Sequence, residues 1–163
     1  MLKDPLFGLV DPHNETYWDT EVAVSGRPIR VDLNVDDPNL PTERVAASLT
    51  RLADVAALTQ AAREAIAPLS RSDPDDPLQL YFEHHRDELS AEALARALGL
   101  GDVAKLSVET LVAGLELQRV GVYPENTEET FVVDFGLPRR ITNYLLSVKL
   151  DADGNPTAVD MES

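Results

Sequence analysis

A chain of 163 residues, 44% hydrophobic and 26% charged, has the size and balance of one folded domain able to bury a core without covalent staples. It contains no cysteine, which excludes disulfides, thiolate metal sites and cysteine nucleophiles. Its 29 acids against 14 bases leave a formal net charge of −15, which repels nucleic-acid phosphate in the absence of any Lys/Arg cluster.

The N-terminal MLKDPLFGLVDPHN is broken by Pro5 and Pro12 and lacks the apolar centre of a signal peptide. No apolar stretch approaches the roughly 20 residues of a membrane span, so no membrane association is expected and the cytoplasm is the expected compartment. A brief strand at residues 7–10 is expected to join the hairpin that follows. In WDTEVAVSGRPIRVDLNV, Ile29, Val31, Leu33 and Val35 alternate with Arg30, Asp32 and Asn34, the period of a half-buried strand. Trp18, Thr20, Val22 and Val24 form the matching stripe, and Ser25-Gly26 suits a tight turn between the two strands.

DPNLP, residues 37–41, stops the strand and opens a helix, with Asn39 or Thr42 as its cap. From Val45, apolar residues at Leu49, Leu52, Val55, Leu58, Ala62, Ile66 and Leu69 describe one helical face about seven turns long. The acidic, proline-broken SRSDPDDP ends it. Asp76-Pro77 starts a second helix carrying YFEHHRDEL, Ser90 caps a shorter one closed by Gly99, and another turn or two run from Ser107 to Ala113.

The last third returns to strands. In LELQRVGVY, Leu115 and Leu117 lie on one face and Val120 and Val122 on the other, a phase change that predicts a bulge near Arg119 or Gly121. Phe131, Val133 and Phe135 alternate, as do Tyr144, Leu146, Val148 and Leu150. DADGN, residues 151–155, turns into a final strand at 157–161. Strands, helices and strands again, without a linker, predict a single α+β domain over residues 1–163: one antiparallel sheet with helices packed on one face. The open face would carry Arg30, Asp32, Asn34, Asp134, Lys149, Asp160 and Glu162, and is expected to be exposed and mostly acidic.

VDLNVDD, YFEHH, VGVYPE and TNYLLSVKLDADGNPTAVDMES, in this order and spacing, resemble a bacterial family of domains of unknown function, from about Trp18 to Ser163. The resemblance implies a small, acidic, cytoplasmic bacterial α+β protein and brings no catalytic residue with it. Several small acidic bacterial domains of similar layout are proposed toxin-immunity proteins, an analogy of architecture.

The adjacent histidines of YFEHH invite a metal reading. Leu78, Tyr81, Phe82 and Leu89 form an apolar helical stripe in which His85 fills the missing place, so His85 is expected to be a buried structural residue. His84 points about 100° away and shares a flank with Glu88. That pair could bind one metal only with a further protein ligand, and His13 is the one other histidine. DLNVDDPNLPTE, residues 32–43, imitates a calcium loop through Asp32, Asn34, Asp36 and Glu43. It has Asp37 where such a loop needs glycine, and a strand where it needs a helix. DADGN is read as a turn, and the Asn14 sequon as coincidence.

There is no G-x-S-x-G elbow, no P-loop and no G-x-G-x-x-G, so neither nucleotide nor cofactor binding is expected, and whether the protein is an enzyme stays open. Charge without catalytic motifs points to a non-enzymatic acidic interaction module, in its most concrete form an immunity-type inhibitor of a basic protein partner. Its candidate face is Asp32, Asn34, Asp134, Asp160 and Glu162 with the aromatics Trp18 and Tyr123, although core at the sheet edge is the favoured place for Trp18. The alternative is a metal-dependent enzyme using His84, Glu88 and distant acids.

Overall fold

The computed structural model describes residues Met1–Ser163. β1 (Leu2–Asp4) and β2 (Gly8–Val10) form a small antiparallel ribbon of their own. The expected strand at residues 7–10 therefore exists but pairs with Leu2–Asp4, not with the long hairpin. Asp4 makes the tight reversal possible by accepting the Leu6 and Phe7 amides.

The long hairpin is β3 (Tyr17–Val24) and β4 (Arg27–Asn34). Ser25 and Gly26 both have positive φ, 51° and 78°, which a two-residue turn needs to match the strands' twist. The helical region follows as α1 (Thr42–Leu52), α2 (Val55–Ser72), α3 (Pro77–Leu89), α4 (Ala91–Ala97) and α5 (Val108–Gly114). The seven-turn helix expected over this first stretch is in fact two helices. Asp54 interrupts it and caps α2 by accepting the Ala57 amide at 3.1 Å, while the apolar ladder keeps its phase across the break. No side chain caps α1, whose N-cap position is Pro41. Asp76 and Ser90 cap α3 and α4 as their sequence positions predict, and Ser107, expected as the first residue of the last helical turns, caps α5.

β5 (Glu116–Val122), β6 (Phe131–Gly136), β7 (Leu145–Leu150) and β8 (Pro156–Glu162) complete a six-stranded sheet of order β3-β4-β5-β6-β7-β8. The sheet is mixed, not antiparallel throughout, because β4 and β5 pair in parallel from Arg30↔Arg119 to Leu33↔Val122. The helices supply the crossover that returns the chain to the starting end of its neighbour, which a parallel pair requires. Alternation within a strand reports which face is buried and carries no information about the direction of the neighbour.

The helices pack on one sheet face, joining Val31, Leu33, Val120, Val133, Phe135, Leu146 and Val148 to Leu52, Leu58, Ile66, Tyr81, Leu94 and Leu111 in one continuous core. The expected bulge appears as a register shift between Leu117 and Arg119 in the β5–β6 pairing. It lets Leu117 and Val120 both be buried, and it sets Arg119 on the opposite, helix-free face. No helix is long and apolar enough to cross a membrane.

Candidate functional site

The helix-free sheet face is not the exposed acidic surface that its composition suggests. Asp32 is 1% exposed and Asp134 5%, because the guanidinium of Arg119 lies between them. Arg119 Nε and Nη2 donate to the two Asp32 carboxylate oxygens at 2.6 and 2.7 Å, Nη1 reaches Asp134 at 3.4 Å, and Nη2 also meets the Tyr123 hydroxyl at 2.8 Å. Gly121 provides the room. A Cβ there would stand 2.6 Å from Arg119 Nη2 and 3.0 Å from the Tyr123 ring.

The network spreads across five strands, from β4 to β8. Ser147 donates to Asp134 at 2.5 Å, and Lys149, itself buried, bonds Glu162 at 2.9 Å and lies 3.7 Å from Asp160. Asn34 donates to Asp32, and Arg30 donates to the Tyr17 hydroxyl. Burial works against the charge of Arg119, but its bonds to Asp32 and Tyr123 and their charges outweigh it and raise the guanidinium pKa. Burial would raise the Glu162 carboxyl, yet Lys149 holds it below the usual carboxylate range. Of the sequence-predicted face, Asp32 and Asp134 are thus internal members of an ion-pair lattice. Asn34 and Tyr123 are half-buried, and Asp160 and Glu162 lie at the β8 edge. Trp18 faces the core at 7% exposure, and its Nε1 is a buried donor without a partner.

Sequence reasoning missed Arg119 as the centre of this arrangement, because the bulge conceals which face it occupies. The one basic residue of LELQRVGV, standing where its apolar alternation changes phase, was the available signal.

A different picture holds at the end of the sheet where β4 and β5 both finish. Glu125 accepts the amides of Asp36 and, at 2.8 Å, Asp37; Arg44 donates to the Pro124 and Glu125 carbonyls. The Ala152 amide bonds the Thr127 carbonyl at 3.1 Å, and Thr157 bonds the Glu128 carbonyl. These contacts lock three loops together. They present Asp36, Asp37, Glu125, Glu128, Glu129 and Asp153 to solvent side by side. VDLNVDD, VGVYPE and LDADGN, far apart in sequence, converge here.

His85 is buried, as its place on the apolar stripe predicts. Its Nδ1 lies 2.8 Å from the Tyr81 carbonyl, which can only accept, so Nδ1 carries the proton; Nε2 then accepts from the Thr142 hydroxyl at 3.0 Å. Burial lowers its pKa, and the proton-poor ring has both nitrogens committed. Tyr81 is equally enclosed: its hydroxyl accepts the Leu137 amide and donates to the Tyr144 carbonyl, and burial pushes its pKa up to about 12. His84 packs edge-on against Tyr144, ring centroids 4.7 Å apart. No group of three or more His, Asp or Glu side chains is placed to hold a metal ion, so His84 and Glu88 have no third ligand beside them. The calcium-like run is likewise dismantled, since Asp32 is engaged by Arg119.

No protein-family model matches the chain, and searches of curated proteins and of solved structures return no match.

Proposed function

We propose that the protein is a non-enzymatic interaction module that binds a basic protein partner through the acidic end of its sheet. The observation carrying this reading is the locking of three loops into one carboxylate-rich surface. Ordering these loops before binding lowers the entropic cost of association. The charge accelerates encounter with a cationic partner and makes it salt-sensitive, since fields are screened over about 8 to 10 Å at physiological ionic strength. Tyr17, 41% exposed, and Tyr123 stand on the adjoining sheet face, each with its hydroxyl fixed by an arginine. Such rigid aromatics are favoured as anchors of protein contacts. Asp160 and Glu162, paired with Lys149, contribute less free charge than the loops do. An immunity-type role, neutralising a basic toxin, is the concrete form of this reading. The bacterial family suggested by VDLNVDD, YFEHH and VGVYPE is part of it and rests on those motifs.

The test is capture from lysate of the source organism at low and high salt with three forms of the protein. One is unaltered, one carries Asp37→Lys, Glu128→Lys and Glu129→Lys, and a control carries Asp87→Lys, Glu88→Lys and Glu92→Lys on the exposed helical surface. Both variants have the same net charge. A basic protein held at low salt by the unaltered chain and the control, and lost from the loop variant, is the expected result. Equal loss from both variants would reduce the effect to total charge and sink the assignment.

A further inference from the structure

At the opposite end of the sheet from the acidic loops, a cleft of about 470 Å³ opens between the first turns of α2 and the strand ends beside the β3–β4 turn. Its volume is in the range of small-molecule sites. Val24, Ile29, Leu117 and Phe135 supply apolar lining. Its charged groups are Arg27, Glu116 and Arg63. Arg27 and Glu116 pair with each other at 3.2 Å, which leaves the charge of Arg63 unmatched.

Arg63 forms no ion pair anywhere, although the chain has about two acids for every base. It is half-buried, its guanidinium carbon 4.7 Å from the centre of the Phe135 ring. Capping explains only part of its placement. Nη1 donates to the Val112 and Leu115 carbonyls at 2.8 and 2.9 Å, closing the C-terminal end of α5. Nε and Nη2 have no protein acceptor and remain open to solvent. Those two nitrogens form the side edge of the guanidinium, whose parallel N–H groups match the two oxygens of a carboxylate. A cation held in place by a helix end and an aromatic ring, with its bidentate edge free, is prepared for an anion.

We propose that this cleft binds a small organic carboxylate, its two oxygens on Nε and Nη2 of Arg63 and its apolar body against Ile29, Leu117 and Phe135. One uncompensated positive charge suits a monocarboxylate, and the apolar lining distinguishes such a ligand from inorganic phosphate. The site is separate from the acidic loops and stands or falls independently of the partner assigned to them.

The test is a titration of the ¹⁵N-labelled full chain with sodium phenylacetate, phenylacetamide and inorganic phosphate, followed through the backbone amides. Phenylacetate is expected to shift amides of residues 56–63, 115–117 and 135, with phenylacetamide and phosphate at least tenfold weaker. Arg63→Met should weaken phenylacetate at least tenfold. Because Arg63 also caps α5, Ala56→Phe provides a second variant: it fills the cleft from an exposed helix position, leaves Arg63 intact, and should weaken binding by a similar factor. The triple lysine variant of the acidic loops should bind phenylacetate no more weakly than the unaltered chain. Absence of saturable shifts, equal binding of acid and amide, or full affinity in Ala56→Phe would overturn the proposal.

Discussion

Arg119 and Arg63 are both half-buried and on opposite faces of the sheet, yet their surroundings differ in kind. Arg119 is enclosed by Asp32, Asp134 and the Tyr123 hydroxyl, and the net effect raises its pKa. Arg63 meets two carbonyls and an aromatic ring, and burial lowers its pKa. The first arginine neutralises charge that the fold itself has buried; the second carries charge that the fold leaves unanswered. In a chain this acidic, an unpaired half-buried cation is a more informative feature than another surface carboxylate.

The sharpest way to break this comparison is to delete both side chains in turn. Arg119→Met strands two buried carboxylates and should cost about 4 kcal/mol of unfolding free energy. Arg63→Met strands no charge and loses two hydrogen bonds to carbonyls, so about 2 kcal/mol is expected. Urea denaturation followed by circular dichroism measures both; equal losses would mean that the two environments are energetically alike.

A finer probe is Gly121→Ala. Its Cβ displaces the Arg119 guanidinium from Asp32, at a cost of about 1.5 kcal/mol. In the Arg119→Met background that cost should fall by more than half, leaving the contact with Tyr123. A double-mutant cycle in urea reads this coupling, and full additivity would show that Gly121 is needed for some other reason.

His85 extends the contrast to a group that folds in its neutral form, and the effect is the smallest. Its folded pKa lies below the ordinary histidine value near 6.5, so its contribution is fully present above that value and declines as pH falls below it. Stability of the unaltered protein should therefore decrease from pH 7.5 to 5.5. His85→Gln, less stable by about 1 to 2 kcal/mol through lost bonds to Tyr81 and Thr142, should show a flatter profile. An unchanged slope in melting temperature against pH would assign the dependence to other groups.

Much of the local structure was legible in the residues. Asp76-Pro77 and Ser90 with Gly99 mark helix ends because capping chemistry is local. The phase change in LELQRVGVY located the bulge, and the gap in the Leu78 stripe placed His85 in the interior. Asp54 was passed over as a cap because the apolar ladder on both sides of it has one continuous phase. The candidate site was less legible. Trp18 was named both as an interaction aromatic and as core, and its burial settles that choice. Asp32 and Asp134 were read as solvent-facing from alternation, which reports the face of the sheet and not what covers it.

By itself, then, the sequence determined most of the elements, the caps Asp76 and Ser90, the buried stripe of the main strands and the strong negative charge, since these depend on periodicities and turn chemistry within a few residues. Only the tertiary structure decided the parallel pairing of β4 with β5, the closing of Arg119 over two aspartates and the meeting of three acidic loops. Each of these joins residues separated by a helical crossover or a long loop. Their energies depend on distances and enclosure that no local pattern contains.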